Sequence, residues 1–438
     1  MKMQTLAIRG FFAVLFGFLL TGAASAGTYY YVSTTGDGTD GSSWATAYTT
    51  IQPALTQATN GDTVCIAGGK TFTNSQELVF NNSGVSVIGG YEGVGAPGNH
   101  DSALYGETIL CRDVATTDMR IMSVNAVSGG RLEGVTLTGG NTSGNGGAIS
   151  IANSTQFVLA SCTLRGNTAI NNATSISGGA LYAFSSSGII TNCIIESNLV
   201  SSTFGGWNVM CTGGGVGLEG PRSAWTICNS VISHNTISST AADSGDGVGG
   251  GIFMSGDYST FSFKNCLIAH NSSKRGDGIG MYGFNNPVVA MDNCTVADNN
   301  GEGVYVASTF ALTLHNSILW QNGNDVRVEG GGLSLSYCDI GNGYNNGVSG
   351  CISVDPLFVD NVYYHLKSKR GNYVNGYFSG GSWPYGGAYS PLLDLGDPAS
   401  PYNLEPMPNG NRVNMGAYAN TPVASLAISE RGTVFVIR

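Results

Sequence analysis

The chain has 438 residues and a formal net charge of −10, with 11% charged residues, 42% hydrophobic residues and 66 glycines. An acidic chain without Lys/Arg runs or basic helices excludes nucleic acid and anionic membrane surfaces as partners. So much glycine also argues against a helical architecture, because Gly and Asn favour turns and the β-branched runs between them favour strands.

Residues 1–26 read as a secretory signal peptide. Lys2 and Arg9 supply positive charge, an apolar run occupies 11–20, and Ala-Ser-Ala at 24–26 precedes Gly27. The run is too short for an ordinary membrane span. The expectation is an exported protein, extracellular or on a bacterial outer surface, with any membrane attachment through an unidentified anchor.

Residues 27–60 read as a lead-in and cap helix. Ile51, Leu55 and Ala58 share one face, with Pro53 near the start. Such a helix would plug the open end of a strand stack and protect its edges. Asp-Gly-Thr-Asp-Gly at 37–41 and Asp-Ser-Gly-Asp-Gly at 243–247 look superficially like calcium loops. Neither carries the full ligand set with a terminal Glu, so both read as turns. No cofactor is expected, with calcium the one ion left open.

Residues 61–351 are organised by a repeat. Six times, at 159–167, 190–198, 227–235, 263–271, 291–299 and 314–322, the chain runs apolar, any, Asn or Ser, Cys or Ser, any, aliphatic, any, any, Asn. A glycine-rich element precedes each copy, its last glycine 14–16 residues before the Cys/Ser position. The alternation changes phase twice within a unit, as at Val304/Val306, Leu312/Leu314 and Ser317/Leu319. Alternation means half-buried strand, and a slip of phase means a corner. Three strands and three corners make a triangular coil, stacked on the next at about 4.8 Å: a parallel β-helix, all-β.

The bend residue is Asn192, Asn229, Asn265, Asn293 and Asn316, with Ser161 in the first copy. Asn tolerates left-handed backbone, and stacked amides can bond from rung to rung, so this column is expected to be a structural ladder. A second Asn column follows at Asn167, Asn198, Asn235, Asn271, Asn299 and Asn322. Cys162, Cys193, Cys266 and Cys294 share one position with Ser230 and Ser317, which predicts a stack of small, buried free thiols. Cys338 and Cys351 fall outside this column and form a candidate bridge.

From the second Asn to the next unit's last glycine the spacing runs from 4 to 17 residues, so length varies on one corner. Loops on a rigid scaffold commonly carry function. The candidate ligand-binding edge is therefore Trp207, Asp243, Asp246, Lys274, Arg275 and Asp277, with Trp207 either stacking on a sugar or covering core.

Residues 352–438 lose the repeat, gain Pro and aromatics, and read as an irregular C-terminal cap. Ser-Trp-Ala-Thr-Ala-Tyr at 43–48, Gly-Asp-Thr-Val at 61–64, Ile-Gly-Gly-Tyr at 88–91 and Thr-Ile-Leu at 108–110 resemble exported bacterial right-handed β-helix proteins. The Gly-Gly-Ala and aliphatic-x-x-Asn elements are similar to chlamydial polymorphic outer-membrane protein repeats, with Leu164, Ile195, Ile232, Ile268, Val296 and Leu319 where those have Phe. The tail resembles the choice-of-anchor Q group in Asp-Pro-Leu-Phe-Val-Asp at 355–360, Tyr-Ser-Pro-Leu-Leu-Asp at 389–394, Gly-Asp at 396–397 and Asn-Met-Gly-Ala-Tyr at 414–418. These resemblances imply a right-handed, single-stranded, pectin-lyase-like β-helix and surface placement, and no catalytic residues.

The leading functional expectation is a monomeric adhesive or carbohydrate-binding protein without chemistry of its own, its partner an extracellular polysaccharide or a host or neighbouring surface. The alternative is a lyase or glycoside hydrolase acting on an acidic polysaccharide, which needs facing carboxylates or a base beside a cation. Glu196, Asp292 and Asp298 are scattered, and Lys264 and Arg165 stand alone. No paired Asp or Gly-His-Gly element appears. The residues after Cys351 lack the repeated ten-residue segments of a membrane barrel, so no built-in translocator is expected.

Overall fold

The computed structural model describes residues 27–171, 174–203, 210–239 and 247–427. It is a right-handed parallel β-helix with three faces. The first carries Ile149–Ala152, Leu181–Phe184, Val216–Glu219, Ile252–Met254 and Ile279–Met281 in parallel register. The second carries Phe157–Ala160, Ser187–Thr191, Ala224–Cys228, Thr260–Lys264 and Val288–Asp292. The third runs through Thr163–Arg165, Ile194–Glu196, Val231–Ser233, Leu267–Ala269, Thr295–Ala297 and Ile318–Trp320. In the last coils Glu302–His315 and Asn324–Ser336 pass from the first face to the second as continuous strands.

Each alternation places one aliphatic set inside. Ile149, Leu181, Val216, Ile252, Ile279 and Val304 stack as one buried column of a single core running from Val32 to Cys351. The helix Ile51–Gln57 closes its upper end, with Ile51, Ala54, Leu55 and Ala58 all in that core. Burial of such a face, at about 25 cal/mol per Å², dominates the stability of a stack whose strands are individually very short.

The glycine element has a steric cause. Gly146, Gly178, Gly213 and Gly249 adopt φ between 58° and 78°. A Cβ on the following residue, Gly147, Gly179 or Gly214, would lie 2.0–2.3 Å from a carbonyl oxygen of the coil below. The next slot accepts Ala148 and Ala180 as well as Gly215 and Gly251.

The bend column behaves as expected in backbone and differently in side chain. Ser161, Asn192, Asn229, Asn265, Asn293 and Asn316 all have φ of 47–53°. Their amides do not form the expected ladder: Asn265 Nδ2 donates to Ala417 O and Ala419 O, and Asn316 bonds Ser400 and the main chain of Asp397. A left-handed bend turns these side chains outward, toward the C-terminal region. The rung-to-rung ladder is the second column. There Asn167, Asn198, Asn235 and Asn271 each donate both main-chain N–H and Nδ2 to the next Asn's Oδ1, at 2.9–3.1 Å.

Cys162, Cys193, Cys266 and Cys294 are buried free thiols, as read from the repeat. They are more than small hydrophobes. Each donates to the carbonyl two residues back, at 3.2–3.5 Å, as Ser230 and Ser317 do at 2.8 Å. Cys338 donates likewise to Ser336 O, after the left-handed Tyr337, so it extends the column instead of falling outside it. Cys351 is its neighbour in the next turn, Ile352 N–H donating to Cys338 O at 2.9 Å; both are free thiols.

After Ile352, which still pairs with Asp339 at the end of the stack, the chain turns back along its side. Tyr364, Tyr373, Tyr418 and Val423 pack on Val231, Leu267, Ala269 and Ala297, outward residues of the third face, while the main core ends at Cys351. This region is fastened by polar clamps. Tyr364 donates to Asp298 Oδ2 at 2.5 Å, and His315 stands between Asp292 (2.9 Å) and Asp397 (3.2 Å), whose carboxylates raise its pKa.

Candidate functional site

The variable corner carries more order than its loops suggested. Thr168–Ile170, Leu199–Ser202 and Thr236–Ser239 form a small parallel sheet beyond the Asn ladder, and Ile176–Ser177 pairs with Cys211–Thr212. Ala169, Ile176, Val200, Cys211 and Ile237 make a satellite core beneath it. These excursions fold back beside the first face. The Ser177 hydroxyl occupies the place a Cβ on Gly217 would take, 2.1 Å away.

Between this flap and the turns at 220–221, 255–257 and 282–284 lies a groove of about 500 Å³. Its floor is a column of outward positions on the first face. Parallel register aligns Phe184 with Glu219, and extends through Ser255 to Tyr282, one residue beyond Met254 and Met281. The column therefore reads aromatic ring, carboxylate, hydroxyl, aromatic ring on four successive coils, a span of about 14 Å. Phe184 and Tyr282 are each 41% exposed and Phe284 60%, so these rings face solvent instead of core. Tyr182 stacks beside Phe184 at 6.3 Å, and Tyr282 meets Phe284 edge-on at 6.1 Å.

Glu219 is half-buried on this floor and accepts a hydrogen bond from Thr212 Oγ1 at 3.1 Å. Burial raises its pKa, and the Ser177 and Thr212 hydroxyls work against the shift. Asp257 lines the opposite wall and accepts from Asn285 Nδ2 at 2.8 Å. Among the described residues lining the groove none is a Lys or Arg.

Of the residues singled out on the variable edge, Lys274, Arg275 and Asp277 do not line the groove. Trp207, Asp243 and Asp246 lie outside the described residues; Met210, three positions after Trp207, lines the groove. Asp277 is 2% exposed and structural. It takes the slot held by glycine in the coils above, and its carboxylate accepts Ser273 N–H at 2.8 Å and Glu302 N–H at 3.0 Å. Arg275 is engaged by Tyr305, its Nη1 3.4 Å from the phenol oxygen and its guanidinium 5.9 Å from the ring centre, and Lys274 also has a partner. The 37–41 segment is a pair of Asx turns, Asp37 Oδ1 accepting Thr39 N–H and Asp40 Oδ1 accepting Ser42 N–H. Among the described residues no group of three or more His, Cys, Asp or Glu is placed to hold a metal ion.

Sequence reasoning therefore pointed to the variable corner and missed the floor of the groove. The signal was present: aromatic or acidic residues at the outward position five or six residues after the paired glycines. Aligning them required the strand register.

A right-handed β-helix region matches residues 147–335 and 250–379, together more than half of the chain. The chain belongs to the right-handed β-helix family. Among curated proteins none matches. Among solved structures this β-helix is similar to a pectate lyase, at 16% identity over 90% of this chain and 96% of that one, with a TM-score of 0.50. It is also similar to a rhamnogalacturonan lyase (11% identity, 76% and 91% coverage, TM-score 0.43). A pectin methylesterase from Aspergillus niger follows at 15% identity, 62% and 86% coverage and a TM-score of 0.30. At such identities the likeness is one of fold.

Proposed function

We propose that this is an exported, surface-displayed β-helix protein that binds carbohydrate in the groove of its first face and has no chemistry of its own. The observation that carries the reading is the column Phe184, Glu219, Ser255, Tyr282, two exposed rings flanking two polar groups. Aromatic faces take the apolar faces of sugar rings, and a few polar groups between them fix orientation, the usual composition of a small-molecule or oligosaccharide groove. Export is supported by the leader-like pattern at 1–26, and surface placement by the choice-of-anchor Q likeness between 355 and 418.

A second reading has one specific support. Glu219 and Asp257 line the same groove, and hydrolysis of a glycosidic bond needs two carboxylates across it. Incubation of the purified protein with insoluble polysaccharides tests both readings. Binding without chemistry gives retention that falls at least about tenfold in Phe184→Ala or Tyr282→Ala, roughly the loss of one 1.4 kcal/mol anchor. New reducing ends or unsaturated products would replace this reading with the enzymatic one. Retention untouched by either substitution would remove the groove.

A further inference from the structure

The charge of the groove restricts which glycan it takes. Glu219 sits half-buried between aromatic rings with only hydroxyl partners, and Asp257 adds a second carboxylate at the wall. Among the described lining residues none is cationic, and Arg222, one residue past the lining Pro221, is not among them. A uronate or sulfated sugar would bring a third negative charge into a partly dehydrated site, where Coulomb repulsion is several times stronger than in water. A buried carboxylate without a cation is itself unfavourable, so the site lacks a positive charge that its ligand can supply.

The rings point the same way. An ammonium placed over an aromatic face is attracted by the ring quadrupole, and Phe184 and Tyr282 stand one and two coils from Glu219 on either side of the column. Resting on the carbohydrate-binding reading, we propose that the groove selects a polysaccharide whose sugars carry protonated amines, a de-N-acetylated hexosamine polymer, and rejects uronate polymers. The ammonium pairs with Glu219 while the neighbouring sugar faces lie on Phe184 and Tyr282. Acetylation of the amine removes the charge and adds bulk where the carboxylate sits.

Calorimetric titration of the full chain, just below neutral pH and at low salt, tests this. The probes are three tetrasaccharides: β-1,4-linked glucosamine, its N-acetylated counterpart, and galacturonate. The amine tetramer is expected to bind at least about tenfold more tightly than the acetylated one, by the sum of an ion pair and a cation–π contact. Galacturonate is expected to bind most weakly. Glu219→Gln, which keeps an oxygen for Thr212, should bring the amine and acetyl affinities together, with an unchanged circular dichroism spectrum reporting the fold. Equal binding of amine and acetylated tetramers by the native chain overturns the charge selection and leaves carbohydrate binding standing. Tightest binding of galacturonate overturns it too. Failure of all three to bind, while an insoluble neutral glycan is retained, also overturns the selection; failure of every glycan removes the parent reading.

Discussion

Asn322 donates both its main-chain N–H and its side-chain amide to one carboxylate oxygen of Asp325, at 3.2 and 2.8 Å. Asp325 thereby does for the last Asn what each Asn does for the one above it. Its other oxygen accepts the main-chain N–H of Asn342 at 2.9 Å. At the opposite end the ladder closes on Gly140, whose N–H donates to Asn167 Oδ1 at 3.0 Å. The column is thus a buried amide chain in which every side-chain oxygen from Asn198 to Asn322 takes two N–H groups, terminated by a carboxylate acceptor.

Breaking the chain in the middle should cost more than shortening it at the end. Asn235→Ala leaves the buried Asn198 main-chain N–H without its acceptor, takes one acceptor from the Asn198 amide and removes one of the two donors to the Asn271 oxygen, an expected loss of about 2–5 kcal/mol. Asp325→Asn keeps the oxygen that takes Asn322 but leaves the Asn342 N–H facing an NH2, and should cost about 1–2 kcal/mol. Chemical denaturation midpoints of the two variants check the order.

The Cys/Ser column is chosen for its donor. Cys266 Sγ donates to Ile227 O at 3.3 Å and Lys264 O at 3.5 Å. Cys266→Ser should therefore be nearly neutral, within about 1 kcal/mol, whereas Cys266→Ala loses the donor and leaves a small void, costing about 1–3 kcal/mol. Thermal melting of the pair separates this account from that of a merely small apolar side chain, which would rank Ala above Ser.

Cys338 and Cys351 should behave unlike the thiols above them. Burial pushes Cys193 and Cys294 well above the ordinary thiol range. Cys351 is instead held below the ordinary thiol range by a hydrogen bond with Cys338, whose own thiol is raised by burial and by Cys351. Thiolate is the reactive form, so mild oxidation should join Cys338 to Cys351 while the column stays reduced. Non-reducing peptide mapping would recover the joined peptides, and closure should add roughly 2–4 kcal/mol.

The C-terminal region should loosen at both ends of the pH range. His365 is buried against Tyr418, with ring centres 3.6 Å apart, and burial lowers its pKa to about 4. The unfolded imidazole binds a proton near 6.5 and the folded one does not, so stability falls as pH drops from about 6.5 toward 4. Glu405 is the converse: burial raises it to about 8, and the unfolded carboxyl ionises first, so stability falls as pH rises from about 4.5 to 8. His365→Phe should flatten the acid limb and Glu405→Gln the alkaline limb. Fluorescence of Trp383, which packs on Tyr373 at 4.7 Å, reports detachment.

The sequence by itself determined the coil. Period-two alternation, two phase slips and glycines in fixed register leave a stacked three-sided helix as the arrangement that buries every aliphatic set, and the Cys/Ser exchange marks a buried position. Those are local facts, repeated until they add up. It did not determine which Asn column is the ladder, because both recur at the same period and differ only in which way a left-handed bend turns the side chain. Nor did it place the tail, whose apolar residues could cover the end or the side; the outward faces of Val231, Leu267 and Ala297 decide for the side. The groove depends on tertiary structure most of all. Phe184, Glu219, Ser255 and Tyr282 are about 30 residues apart from one to the next, and only parallel register stacks them into one column.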